Sequence, residues 1–240
     1  MTDSQPHHEL SALAAAALIQ RGDVSSEELT RAALARMDQV NATINAVVYR
    51  DDTRALTAAR DRDRATRQGT VLGPLHGVPI TIKDSHDTAG WITTGGTMGR
   101  RRFMPQETSP PVARLLAAGA VLVGKTNTPE LTLSFSTDND VYGLTRNPYD
   151  PARSAGGSSG GAGAALAARL SHLDLGSDLG GSIRVPAMFN GVVGLKPTPG
   201  RVPRTGHILP WGGPCDWMST IGPMARSVDD VEAAFRLICG

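Results

Sequence analysis

Residues 156–182 read GGSSGGAGAALAARLSHLDLGSDLGGS: a glycine-serine loop, a small-residue helix, a short apolar strand and a second glycine-serine cluster. A strand following a helix here belongs to an α/β fold, and two loops separated by one helix and one strand are placed to meet at the same edge of a sheet. The first loop, residues 156–161, admits three readings: a flexible linker, a phosphate cradle, or a loop that holds a serine where it can react.

Each of the first two is weak on its own residues. A Walker A loop needs a lysine directly after its last glycine, and none lies near residues 156–170; the dinucleotide pattern G-x-G-x-x-G is also absent. The letters G-x-S-x-G occur at Gly156, Ser158, Gly160 and again at Gly157, Ser159, Gly161. A nucleophile elbow nevertheless requires a strand just upstream, where Pro148 and Pro151 indicate an extended loop. No serine stands three residues before Lys83, Lys125 or Lys196, which removes the penicillin-binding type of site. A linker would join domains, whereas this loop runs straight into a helix.

Outward from this stretch, the first seventy residues read as helical. Ser25, Ser26, Glu27 and Glu28 form a capped start for a helix through Leu29, Ala33 and Met37, and Asp51 or Asp52 caps a second that Gly69 stops. The Ala-rich N-terminus reads as an amphipathic helix, too broken by polar residues to span a bilayer and without the basic start of a secretory signal. From residue 71 on, strands alternate with helices: GVPITIKD ends a strand at Lys83 and Asp84, SPPVARLLAAGAVLVGK gives a helix, a Gly119 stop and a strand, and LSHLDLGSD, GVVGLKP and SVDDVEAAFRLICG follow as strand, strand and helix. The expected fold is α/β, a mixed and mainly parallel sheet flanked by helices. Residues 1–240 form one domain, with a helical region at 1–70 and a catalytic core at 71–240.

Composition agrees with a globular chain. It is 240 residues long, 40% hydrophobic and 20% charged, with a net charge of +1. A chain of this length buries roughly 70–75% of its unfolded surface and needs no staple. Near-neutral charge offers no field for nucleic acid. Cys215 and Cys239 make no metal or redox motif, so neither metal nor cofactor is expected, and the setting reads as a reducing cytoplasm. Of 24 basic residues only Lys83, Lys125 and Lys196 are lysine. Arginine stays protonated whereas lysine can lose its proton on burial, so each of the three is a candidate for chemistry.

Residues 156–201, together with GPLHGVPITIKD at 73–84 and the approach NPYDPARSAGGSSGG, closely resemble the amidase signature family of serine hydrolases. The resemblance implies a Ser-cis-Ser-Lys triad, with Ser182 the nucleophile, Ser158 the bridging serine after a cis peptide bond and Lys83 the base. It implies that Leu179, Gly180 and Gly181 donate backbone N–H groups to an oxyanion. Ser159, Ser177, Asp178 and Arg184 are assigned to bracing these loops, while His76, Lys125 and Lys196 are taken as structural; Trp91, Trp211 and Trp217 line a pocket or fill the core. The activity implied is hydrolysis of a carboxamide to a carboxylate and ammonia or an amine through an acyl-enzyme. The partner is then a small-molecule amide, not nucleic acid or membrane, with a homodimer left open.

Two other readings stay beside it. One is the glutamine-hydrolysing subunit of a tRNA-dependent amidotransferase, from whose simpler serine-rich stretch LPWGGPCDWMSTIGP departs. The other is an inactive fragment, because members of the family are longer and the final helix stops at Gly240 without a tail.

Overall fold

The computed structural model describes residues 6–208 and 213–240; Trp211 and the first half of the LPWGGPCDW segment lie outside the described residues. In chain order the main elements are α1 (Ala12–Arg21), α2 (Ser26–Ile44), β1 (Val47–Tyr49), α3 (Asp52–Arg67), β2 (Pro79–Lys83), α4 (Pro110–Ala117), β3 (Val121–Thr126), α5 (Gly160–Ala167), β4 (Leu173–Asp178), α6 (Arg184–Asn190), β5 (Val193–Gly194), β6 (Thr220–Ala225) and α7 (Val228–Ile238).

The sheet is mixed. Its two hydrogen-bonded halves have strand orders β1-β3-β2 and β4-β6-β5. Strand β2 runs parallel to β3, while β1 pairs antiparallel with β3 and both β4 and β5 pair antiparallel with β6. The halves meet along β2 and β4: the His172 N–H donates to Pro79 O at 3.2 Å, and Thr81 Oγ1 donates to Asp174 Oδ2 at 2.6 Å. These contacts advance together along both strands, so β4 runs alongside β2 in the same direction. Parallel strands therefore occupy the centre and antiparallel ones the flanks, an arrangement that follows from β6, which was not expected, returning beside β4.

Both faces of the sheet are covered. Ile80 and Ile82 of β2, Leu122 of β3 and Leu173 and Leu175 of β4 join the core built with Ala15 and Ile19 of α1, Leu115 of α4 and Ala234 and Ile238 of α7. On the opposite face Val121 and Val123 of β3 pack with Leu34 and Met37 of α2, Ala55 and Ala59 of α3 and Ala164 and Ala165 of α5. Period-2 alternation then turns Thr81 and Lys83 of β2, and Asp174 of β4, away from the first core and toward α5. That is how an apolar strand delivers a lysine to the loop before α5.

The local signals behind these elements are mostly those expected. Ser25 and Glu28 form a reciprocal capping box at the start of α2, and the Asp51 side chain accepts from Arg54 N–H at the start of α3. Gly119 turns the chain between α4 and β3 at φ +97°, where a Cβ would meet His76 Cα at 2.6 Å. His76 itself is buried; its Nδ1 accepts from Leu72 N–H and its Nε2 lies 2.9 Å from Thr66 Oγ1, so it pins the turn before β2. Trp91 is core, edge-on to Tyr49, whereas Trp217 is exposed. Among the described residues no helix is long and apolar enough to cross a membrane.

Candidate active site

Lys83 is wholly buried at the end of β2, with Nζ 2.6 Å from Ser158 Oγ, 3.0 Å from Ser159 Oγ and 2.9 Å from Ser177 Oγ. Three hydroxyls exhaust the three donors of an ammonium, or serve a neutral amine that donates twice and accepts once. Burial pushes the amine down to about 7, opposed by the charges of Asp174 and Asp178. Lys83 thus carries its proton and lends its lone pair in comparable measure near neutrality.

The loop before α5 sets the hydroxyls. The Gly157–Ser158 peptide is cis, as the resemblance implies. Gly157 lies so close to the chain at Ser134 and Phe135 that a Cβ would meet Ser134 O at 2.6 Å. The backbone N–H of Ser159 donates to Ser182 O at 3.1 Å, which ties the first glycine-serine loop to the second. Ser158 and Ser182 face one small pocket that also touches Ser177, Asp178, Leu179 and His207. An apolar groove opens beside it, formed by Leu133, Phe135 and Leu179 and bordered by Ser182.

Asp178 organises the second loop. Its buried carboxylate accepts from the backbone N–H groups of Gly181 (2.8 Å), Ile183 (3.0 Å) and Arg184 (3.3 Å), and from Arg184 Nε and Nη2, both at 3.0 Å. Burial alone would raise this carboxyl. The Arg184 guanidinium and the three backbone donors outweigh burial and hold it below the usual carboxylate range. The Gly181 N–H, expected among the oxyanion donors, is the one of these that donates to Asp178. The N–H groups of Leu179, Gly180 and Ser182 bond to no protein acceptor among the described residues.

Behind the site lies a second buried lysine. Lys125 Nζ donates to His86 O (2.6 Å), Thr88 Oγ1 (3.1 Å) and Thr93 Oγ1 (3.2 Å), securing the chain that follows β2. Burial lowers this amine to about 8. Lys196 bonds to Met218 O at 2.7 Å and does not line the pocket. The residues that sequence reasoning did not single out are Asp174, whose charge faces Lys83, and His207, Leu133 and Phe135 in the pocket and groove. A lone histidine in a turn and two apolar residues in a loop carry no motif; only their placement distinguishes them.

A buried lysine thus lies 2.6 Å from a serine on a glycine loop, and a second serine borders the same pocket. The family profile described as Amidase matches residues 28–240, and the chain belongs to that family. It is 46% identical over 233 residues to a glutamyl-tRNA(Gln) amidotransferase subunit of Chloroflexus aurantiacus, covering 97% of this chain and 47% of that protein. It is 43% identical over 235 residues to the indoleacetamide hydrolase of Bradyrhizobium diazoefficiens, covering 97% and 45%. The crystal structure of native peptide amidase from Stenotrophomonas maltophilia superposes with a TM-score of 0.92 at 39% identity, over 98% of this chain and 49% of that one. The chain spans about half the length of the relatives it matches.

Proposed function

We propose that this chain carries the catalytic machinery of an amide hydrolase that converts a non-peptide carboxamide to a carboxylate and ammonia or an amine. The observation that carries the reading is the hydrogen bond from Lys83 Nζ, fully buried and lowered to about 7, to Ser158 Oγ at 2.6 Å. In this scheme neutral Lys83 takes the Ser158 proton while Ser158 takes that of Ser182. Ser182 Oγ attacks the carbonyl carbon, and the N–H groups of Leu179, Gly180 and Ser182 receive the oxyanion. Ser158 then returns the proton to the departing nitrogen, leaving an acyl-enzyme on Ser182 that water opens by the same relay. Each step is a proton transfer, a nucleophilic attack or the departure of a leaving group, carried by this chain's own residues and water.

The same reading takes residues 1–240 as one unit, since α2 and α3 share a core with β3 and α5. It sets the protein in a reducing cytoplasm, where the free thiols of Cys215 and Cys239 persist. The test is ammonia release from a panel of primary amides: indoleacetamide, hexanamide, glutamine and an amidated dipeptide. Turnover of at least one, abolished by Ser182→Ala and by Lys83→Ala, supports the reading; unchanged turnover in either variant sinks the triad.

A second reading rests on the 46% identity to an amidotransferase subunit. Under it glutamine is the preferred amide and ammonia passes to a partner protein. Preference for glutamine over the other three amides would promote it.

A further inference from the structure

One residue of the pocket lining carries a buried ring nitrogen with no hydrogen-bond partner among the described residues. Ser158 Oγ and Ser177 Oγ are bound to Lys83, and Asp178 is filled by its backbone donors and Arg184. His207 lines the same pocket, and its Nε2 is buried without a hydrogen-bond partner among the described residues. Leaving such an atom unpaired costs about 1–3 kcal/mol. Its position in the wall of a pocket makes an entering ligand the natural partner.

The ring is held for that purpose from three sides. His207 forms an antiparallel bridge with His86, and the two rings lie 4.9 Å apart. On either side, Asp87 N–H donates to Gly206 O at 2.7 Å and Ile208 N–H donates to Ser85 O at 2.8 Å, so residues 206–208 are fastened to the chain that leaves Lys83. Burial first, and the Lys83 and Arg204 charges next, lower the imidazole to about 3, so it is neutral. A neutral imidazole keeps one nitrogen as an acceptor, and with the proton on Nδ1 that acceptor is the unpartnered Nε2.

Near Ser158, an amide substrate brings one group that seeks an acceptor: the N–H of its scissile nitrogen. The carbonyl oxygen is served by the loop donors, and the nitrogen lone pair takes the relayed proton. We propose that His207 Nε2 accepts a hydrogen bond from the scissile N–H, making His207 a specificity-determining contact for amides over esters. The proposal rests on the amide-hydrolase reading of this pocket.

The experiment compares, for the panel amide that the parent turns over fastest, that amide and the methyl ester of the same acid, in the parent, His207→Leu, His207→Gln and Ser182→Ala. Leucine fills the space without an acceptor; the glutamine Oε1 supplies one near the Nε2 position. The expected result is a ten- to hundredfold fall in kcat/KM for the amide in His207→Leu, of about the size of one lost buried hydrogen bond. The ester should stay within about twofold, since its leaving oxygen has no hydrogen to donate, and His207→Gln should recover part of the amide-to-ester ratio. A parallel fall for amide and ester, an unchanged ratio in His207→Leu, or a ratio in His207→Gln no better than in His207→Leu overturns the assignment. If the parent turns over no amide, or Ser182→Ala matches the parent, the hydrolase reading itself falls and takes this contact with it.

Discussion

Thr81 Oγ1, two positions along β2 from Lys83 and on the same face of the strand, donates at 2.6 Å to the carboxylate of Asp174 on β4 and fixes a buried anion. Thr126 Oγ1 donates to the same oxygen at 3.0 Å, so three strands locate one charge. Burial raises this carboxyl to about 6, against the threonine hydrogen bonds and the Lys83 charge.

Under the proposed mechanism the Asp174 charge raises the pH at which Lys83 becomes a base, against the larger lowering by burial. The anion favours the protonated amine, and activity requires the neutral one, so kcat/KM should rise with pH through about 7 in the parent. Asp174→Asn keeps an oxygen for both threonines and removes the charge, which lowers the Lys83 pKa and moves the acid limb to lower pH. For a drop of about one unit the relative rate at pH 6 improves on the order of fivefold. An acid limb that stays in place or moves upward contradicts the placement of this charge.

Lys83 also leaves a signature on stability. Its folded pKa, about 7, lies below that of a free lysine. Between pH 7 and 10 the unfolded chain binds more protons than the native one, so native stability rises with pH across that window. Lys125, lowered to about 8, contributes with the same sign. Lys83→Met should lose activity on the order of a thousandfold. Urea midpoints at pH 7 and 9.5 should differ less in the variant than in the parent.

Arg184 is exposed while its partner Asp178 is not, so removing the arginine leaves a buried carboxylate with its three backbone donors and no neutralising charge. Arg184→Leu should cost about 1–3 kcal/mol in a urea titration. It should lower kcat more than it raises KM, because the loop it steadies carries Ser182. Arg184→Lys should recover little, since one ammonium cannot reproduce the two parallel bonds.

A Cβ on Gly161 would stand 2.3 Å from Asn127 N, 2.6 Å from Asn127 O and 2.9 Å from Ala46 O, all backbone atoms with no room to retreat. Gly161→Ala should therefore destabilise by about 1–3 kcal/mol or more. In a chain of this length that lowers Tm by roughly 2–4 °C per kcal/mol. The loss of activity should exceed what stability explains, because the α5 start that moves also carries Ser158.

Much of this was legible in local pattern. The capping box of α2, the Asp51 cap of α3, strand β2 ending in Lys83 and the paired glycine-serine loops all depend on neighbours a few residues apart, and all stand where the sequence put them. What depends on distant residues did not show. Asp230 caps α1 by accepting from the Ala12 and Leu13 N–H groups, and no local signal announces a cap from the far end of the chain. Strand β6 contains Gly222 and Pro223, residue types that seldom occupy a strand interior, yet both lie fully buried opposite β4. Helix α6 holds Pro186 in its first turn, and β1 is three residues long. His207 joins the pocket only because residues 206–208 fasten onto those following Lys83, a pairing set by tertiary structure.

The scarcity of lysine has a practical outcome. Lys83 and Lys125 are each sealed from solvent, and Lys196 alone among the three lies at the surface. An amine-directed reagent applied to the folded protein will find Lys196 as its one side-chain target. Beside the α-amine, a fluorophore or a resin therefore attaches there, at a known point outside the pocket lining, without any engineered residue.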